Sequence, residues 1–233
     1  MITIIIFLLS VYTLWYVFHA MPYYLGTYYR DKKRPFLLTF FDKGAYGEYL
    51  IYDRLRVYES DGARFLFNCY LPAKNGETSE IDVLMIHPAG IYVFESKNYS
   101  GWIIGSEKYP TWTQCLPQGR GRSRKEKFYN PVMQNRNHVK WLINLIGSRD
   151  VIRNVVVFSE RCVLKDVEVD SRDVIVIRRD SLRRIVHLSI NVSSYRMSDE
   201  RVTELYDKLL PFTQVNDEAK AAHVRKVSEK YKK

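Results

Sequence analysis

Asp82, Glu95 and Lys97 fall in one segment, EIDVLMIHPAGIYVFESKN, that reads as two strands around a tight turn at Pro88-Ala89. With His87 opposite Gly90, Ile86 faces Ile91, Leu84 faces Val93 and Asp82 faces Glu95. Period-two alternation puts all six on one face, with Lys97 beside them. Apolar positions then match apolar ones, and two acids are left opposed with Cβ atoms about 5 Å apart. Like charges so placed repel, and burial makes ionising each more costly. A divalent cation between them removes the conflict. Oxygen donors without a His/Cys cluster point to Mg²⁺ or Mn²⁺ rather than zinc.

Two helices must bring further polar groups to this hairpin. The first is predicted from about residue 43 to 58, capped by Asp42. Along it Gly44, Glu48, Ile51, Leu55 and Tyr58 share one stripe, so Glu48 is expected on the inward face. The second opens with Asn130-Pro131, a cap followed by a first-turn proline, and runs to about residue 146. Gln134, His138, Trp141 and Leu145 form its stripe. Each residue alone reads as a solvated helix end or an ordinary ion pair. Their convergence on one sheet face reads as a site.

The rest of the chain is of mixed α/β character. Strands are expected at 65–71, 80–87, 90–98, 101–106 and 112–116, then at 154–159 and 174–178, with helices near 180–188 and 198–210. The fold expected is α/β, a mixed β-sheet sandwich flanked by helices. No G-x-x-x-x-G-K-[ST] or G-x-G-x-x-G phosphate loop occurs. Cys69, Cys115 and Cys162 fit neither a disulfide framework nor a zinc module, which favours a reducing compartment. A thiol nucleophile built from Cys115 or Cys162 with His138 has no local support.

Residues 1–29 contain no Asp, Glu, Lys or Arg. The run ITIIIFLLSVYTLWYVFHAM is apolar all round and long enough to span a bilayer, and Tyr12, Trp15, Tyr16, Tyr23 and Tyr24 gather toward one end. No basic region precedes it and no small-x-small site follows, so it reads as an anchor rather than a cleaved signal. Arg30, Lys32, Lys33 and Arg34 then place the bulk of the chain in the cytoplasm, as a single-pass membrane protein. The layout expected is a separable anchor at 1–29, a basic linker at 30–41, a core at 42–147, an α/β extension at 148–215 and a basic tail at 216–233.

The net charge of +10 is confined to three blocks, residues 30–34, 120–127 and 216–233. The middle one carries Arg120, Arg122, Arg124, Lys125 and Lys127 in a stretch, 106–127, that reads as a loop. It suits either nucleic-acid phosphates or plain solvent.

Taken in order, G-x-x-G-E (Gly44 to Glu48), E-I-D (Glu80 to Asp82), E-S-K (Glu95 to Lys97) running into N-Y-S-G-W-I-I-G, Trp112 and N-P-x-x-Q (Asn130 to Gln134) resemble the nuclease-related domain family. That family is similar to the PD-(D/E)xK nucleases, so the resemblance implies a restriction-endonuclease-like core. It implies that Asp82, Glu95 and the Ser96 carbonyl ligate Mg²⁺ (or Mn²⁺), with Glu48 completing or tuning the site. It implies Lys97 beside the attacking water and Gln134 orienting water or phosphate. The function expected is hydrolysis of nucleic acid, with DNA as partner, by an enzyme tethered to the bilayer through its N-terminal helix. The alternatives are a scaffold that has kept the fold without turnover, and an unrelated carboxylate-pair hydrolase, which has no use for Lys97.

Overall fold

A computed structural model of the chain describes residues 1–147 and 150–216, and positions 218, 220 and 225. Most of the basic tail expected at 216–233 lies outside the described residues. The central sheet has the order β1-β2-β3-β7-β9. β1 (Arg64–Pro72), β2 (Thr78–His87) and β3 (Gly90–Lys97) form an antiparallel meander, and β7 (Ile152–Phe158) and β9 (Val174–Arg178) extend it in parallel from β3. Because β7 pairs directly with β3, the sheet that carries the acids cannot end at residue 147.

Helices cover both faces of this sheet. On one face α4 (Lys43–Leu55) and α6 (Leu182–Val192) pack over Phe65, Phe67, Val83, Met85, Tyr92 and Phe94. On the other, α5 (Pro131–Ile146) and α7 (Asp199–Leu209) pack over Leu66, Leu84, Ile86, Ile91 and Val93. The caps are those the sequence indicates. Asp42 accepts from the Gly44 and Ala45 amides, and Asn130 from the Val132 and Met133 amides. α4 is shorter than expected, passing into a 3₁₀ turn at Arg56–Asp61.

The strands form two mixed sheets flanked by helices, in keeping with the expected mixed α/β class. The second has the order β6-β5-β4-β8, built from β4 (Gly101–Ser106), β5 (Thr111–Gly119), β6 (Arg122–Tyr129) and β8 (Cys162–Glu168). Its inner face puts Ile103 and Trp112 against Val156 and Phe158, with the Trp112 and Phe158 rings stacked 6.0 Å apart. The turn into β4 depends on Gly101, whose φ of 77° is left-handed and where a Cβ would collide with the Cys115 carbonyl.

The stretch 106–127 is no loop. β5 and β6 form a hairpin arm turning at Arg120-Gly121, and β6 is an edge strand. Its charged side chains suit an edge, where they resist pairing with another chain. β4 meets β5 no further along than Trp102 and Cys115, so the arm from Leu116 outward projects beyond the start of β4. Only Asn98–Ser100 separate that point from the end of β3 at Lys97.

The N-terminal helix α1 (Ile2–Leu25) is long and apolar enough to cross a membrane, and none of its most apolar stretch is buried by the rest of the chain. The segment after it differs from the expected linker. Ala20, Tyr23, Tyr28 and Phe36 are buried in the core on the α4 side. Thus the end of α1, α2 (Thr27–Lys32) and α3 (Phe36–Phe41) are walls of the domain. Residues 1–29 are not a detachable unit, because the run of aromatics that ends the long apolar helix also supplies buried residues of the domain.

Candidate nuclease site

The hairpin register is the one the sequence dictates: His87 pairs with Gly90, Ile86 with Ile91 and Leu84 with Val93. The ladder stops at Val83 and Phe94, one step short of Asp82 and Glu95. On its other side β2 pairs with β1 through Phe67 and Val83, then through Cys69 and Ile81, leaving out Asn68 and Asp82. Asn68 has a left-handed φ of 49°. Phe67 and Val83 face the α4 side, whereas Cys69 and Ile81 face the α5 side. Both strands therefore switch faces at this pair, a kink of the kind found where a sheet re-aims a side chain. Asp82 stands at the kink, and its Oδ2 accepts from the Ser96 amide at 2.7 Å.

Glu95 is 1% exposed and both its oxygens are engaged. Oε1 accepts from Lys97 Nζ at 2.5 Å, and Oε2 accepts from His138 Nε2 at 3.1 Å. Lys97 Nζ also donates to Gln134 Oε1 at 3.1 Å. An ammonium has three protons and only donates, so one remains, and the Gln134 amide must turn its nitrogen outward. α5 is held in register by Asn135, which donates to the Val93 carbonyl and to Asn154 Oδ1. The buried stripe of α5 is Val132, Asn135, His138, Leu142 and Ile146. Gln134 and Trp141 flank it rather than form it.

Glu48 comes from the opposite face of the sheet, so the expectation that both helices converge on one face does not hold; the groups meet around the kink at Asp82. α4 approaches closely because of Gly47, where a Cβ would lie 2.8 Å from Ser96 Oγ and 2.9 Å from Asn98 Cβ. Glu48 accepts a bond from Tyr28 Oη at 3.4 Å and another from the Asn68 side chain.

The charges follow from this packing. Burial, then the Glu95 and Glu48 charges, push the Asp82 carboxyl well above its ordinary range. Burial also raises Glu48, to about 7, with the Lys32 charge opposing it and Glu80 adding to it. For Glu95 burial is outweighed by Lys97 and His138, which hold it below the usual carboxylate value. Burial works against the Lys97 ammonium, but Glu95, Tyr99 and Asp82 keep it charged.

A family model described as nuclease-related domain matches residues 43–159, half of the chain. The chain belongs to the nuclease-related domain family. An uncharacterized protein of Bacillus anthracis is 29% identical over 191 residues, covering 82% of this chain and 86% of that protein. No solved structure matches the chain.

Nuclease-like folds of this family generally use a divalent metal. Among the described residues no group of three His, Cys, Asp or Glu side chains is placed to hold one. Mg²⁺ asks for less, since it is commonly bound by one or two carboxylates together with waters and substrate phosphates. Asp82 and Glu95 fit such a donor set by their chemistry: they are neighbouring oxygen donors, and burial together with the Glu95 charge raises the Asp82 carboxyl, a conflict that a hard cation relieves. Two clefts, of about 660 and 540 Å³, hold none of the expected site residues. Asp82 stands at the kink in the middle of β2, and Glu95 lies near the C-terminal end of β3.

Three contributors have no role at the acids assigned to them by the sequence. His138 lies on the expected α5 stripe four residues after Gln134, and it touches Glu95 and Ser79, its Nδ1 being 2.6 Å from Ser79 Oγ. Asn68 and the α2 residues carry no local signal. The arm residues Arg120, Arg122, Arg124, Lys125 and Lys127 are all exposed, with Arg124 paired to Glu126.

Proposed function

We propose that the protein is a membrane-anchored, Mg²⁺-dependent nuclease that hydrolyses phosphodiester bonds of DNA. The observation that carries the reading is Lys97, joined to Glu95 and Gln134 with a third proton left over beside Asp82. Asp82 and Glu95, with the Ser96 carbonyl and Glu48 in support, would hold Mg²⁺ or Mn²⁺. The ion supplies charge neutralisation and acidifies a bound water. Lys97 keeps a positive charge where negative charge grows on the phosphoryl oxygens, and Gln134 offers its amide nitrogen to water or phosphate. In the net step a water oxygen bonds to phosphorus and the bond to the leaving oxygen breaks. One proton from that water ends on the leaving oxygen.

The arm fits the same reading, because five exposed cations at the end of the domain where β3 finishes suit a backbone of phosphates. α1 would span the bilayer, and Arg30, Lys32, Lys33 and Arg34 favour a cytoplasmic catalytic domain. A second reading, a scaffold with a nuclease-like fold, is favoured by one observation: both oxygens of Glu95 are already engaged by the protein.

The experiment is cleavage of linear and circular DNA, and of RNA, by the full-length protein in detergent micelles. Cleavage with Mg²⁺, none with EDTA, and none for Asp82→Asn establishes the nuclease. DNA binding without cleavage under every metal condition gives the scaffold.

A further inference from the structure

The matched family region begins at residue 43, yet the carboxylate cluster is walled by residues that precede it. Tyr28 of α2 is 2% exposed, its ring edge-on to Phe67 with centroids 4.8 Å apart. Its hydroxyl lies 3.0 Å from the Ala45 carbonyl and 3.4 Å from Glu48 Oε2. One turn on, Lys32 Nζ donates to the Phe67 carbonyl at 3.0 Å. Phe67 immediately precedes Asn68, the left-handed residue opposite Asp82 whose side chain bonds Glu48. Lys32 is half-buried, and the carboxylates whose charges act on it most are Glu48 and Glu80.

α2 is itself fastened to the domain at the point where α1 ends. The Thr27 amide donates to Tyr52 Oη at 2.8 Å and its hydroxyl to Glu59 at 2.6 Å, while Arg56 donates to the Pro22 carbonyl at 3.0 Å. The orientation of the apolar helix is thus transmitted to α2 through bonded neighbours rather than through a slack linker.

We propose that Lys32 is a positioning residue of the nuclease site: it holds the Phe67 carbonyl, fixes the Asn68 kink that presents Asp82 and Glu48, and so ties the geometry of the site to the helix leaving the membrane. Its kinetic consequences rest on the proposed nuclease function; its structural consequence does not. A lysine suits the task because its long stem crosses apolar surface while its head reaches one carbonyl and two acids. A neutral side chain of the same length would fill the space and leave the carbonyl unpaired.

The test compares full-length wild type with Lys32→Met in the same micelles. Amide exchange over residues 64–72 and 80–87 should quicken about ten-fold in the variant, with residues 131–146 unchanged. The Mg²⁺ midpoint for cleavage should rise about ten-fold, and kcat should fall while KM for DNA stays put, as for the loss of an outer-shell partner. Unchanged exchange and an unchanged midpoint would overturn the proposal, leaving α2 as packing alone. If Lys32→Met does not fold, Lys32→Gln, which stays polar but is too short to keep the bond to the Phe67 carbonyl, is put through the same exchange comparison, and unchanged exchange there overturns the proposal. If wild type neither cleaves nor responds to Mg²⁺, the nuclease reading fails while the exchange result still judges the latch.

Discussion

Lys97 Nζ and Glu95 Oε1 are 2.5 Å apart although their residues are two positions apart on one strand. Alternation puts both side chains on the same face of β3 with Ser96 turned toward α4, so the ion pair is a direct product of strand geometry. Lys97 supplies the positive charge that two neighbouring acids demand.

Lys97→Met is therefore expected to have two separable effects. In EDTA it should cost about 3 kcal/mol, since removing one partner leaves a buried carboxylate poorly compensated. With saturating Mg²⁺ that cost should shrink, while cleavage falls by about 10²–10³. Thermal melts with and without Mg²⁺ check the first effect, and initial rates the second. Wild-type rates in the variant would remove Lys97 from the chemistry.

His138 holds the other oxygen of Glu95. An ionised carboxylate only accepts, so His138 Nε2 donates, and Nδ1 is left for the Ser79 hydroxyl. His138→Ala should cost about 2 kcal/mol by leaving Glu95 Oε2 and Ser79 Oγ unpaired in the interior. His138→Gln, which still offers a donor to Glu95, should recover part of the loss. Equal melting curves for all three proteins would mean that water replaces the ring without cost.

Much of this site was legible because it depends on short-range rules. The hairpin register follows from matching apolar positions, and α5 announces itself through Asn130-Pro131. Elsewhere the rules were local and the cause was not. Alternation carried through Asp82 misses the switch of faces there, because the kink arises jointly from Asn68 and Asp82 on two strands. β6 and β8 are rich in charge and show no apolar period, since they are the two edge strands of the second sheet and are largely exposed. The docking of α2 was hidden by the membrane-like composition around it, where Tyr23 and Tyr28 look like interfacial residues and are core.

Stability in the absence of metal should depend on pH in a definite direction. Glu48 is raised by burial from 4.5 to about 7, and Asp82 is raised by burial and by Glu95. Between the unfolded and folded values the native state binds more protons than the unfolded one, so stability falls as pH rises. The melting temperature in EDTA should therefore decline from about pH 5 to pH 7.5. Glu48→Gln should flatten part of that decline, and Asp82→Asn another part. A wild-type profile that is flat, or that rises over this interval, contradicts the shared burial of these acids.

The arm should act on grip and not on chemistry. Neutralising Arg120, Arg122, Arg124, Lys125 and Lys127 together leaves the central sheet untouched, because all five are exposed on the β5–β6 hairpin of the second sheet. The Mg²⁺ response and the rate at saturating DNA should be preserved. Affinity should drop, and the slope of log affinity against log salt should flatten by up to about 0.9 for each phosphate that the arm no longer neutralises. An unchanged salt slope would make the arm a solvated surface.

Truncation tests how far the apolar helix can be removed. Residues up to 14 are exposed, whereas Trp15 and Tyr16 pack on Phe36, and Ala20, Tyr23, Tyr28 and Phe36 are each at most 2% exposed within the domain. Removing residues 2–14 should give a soluble protein with the fold and the metal response of the full chain, because nothing buried is lost. Removing residues 1–29 deletes Tyr23 and Tyr28, and large aromatic losses from a core cost about 3–5 kcal/mol each. It also uncovers Phe36, Tyr49 and Phe67, which pack against those rings. That shorter protein should aggregate or melt far below the first, even though it keeps every residue of the matched family region. Gel filtration and melting curves of the two truncations decide the matter: equal behaviour would show that the segment after the span is a passive linker.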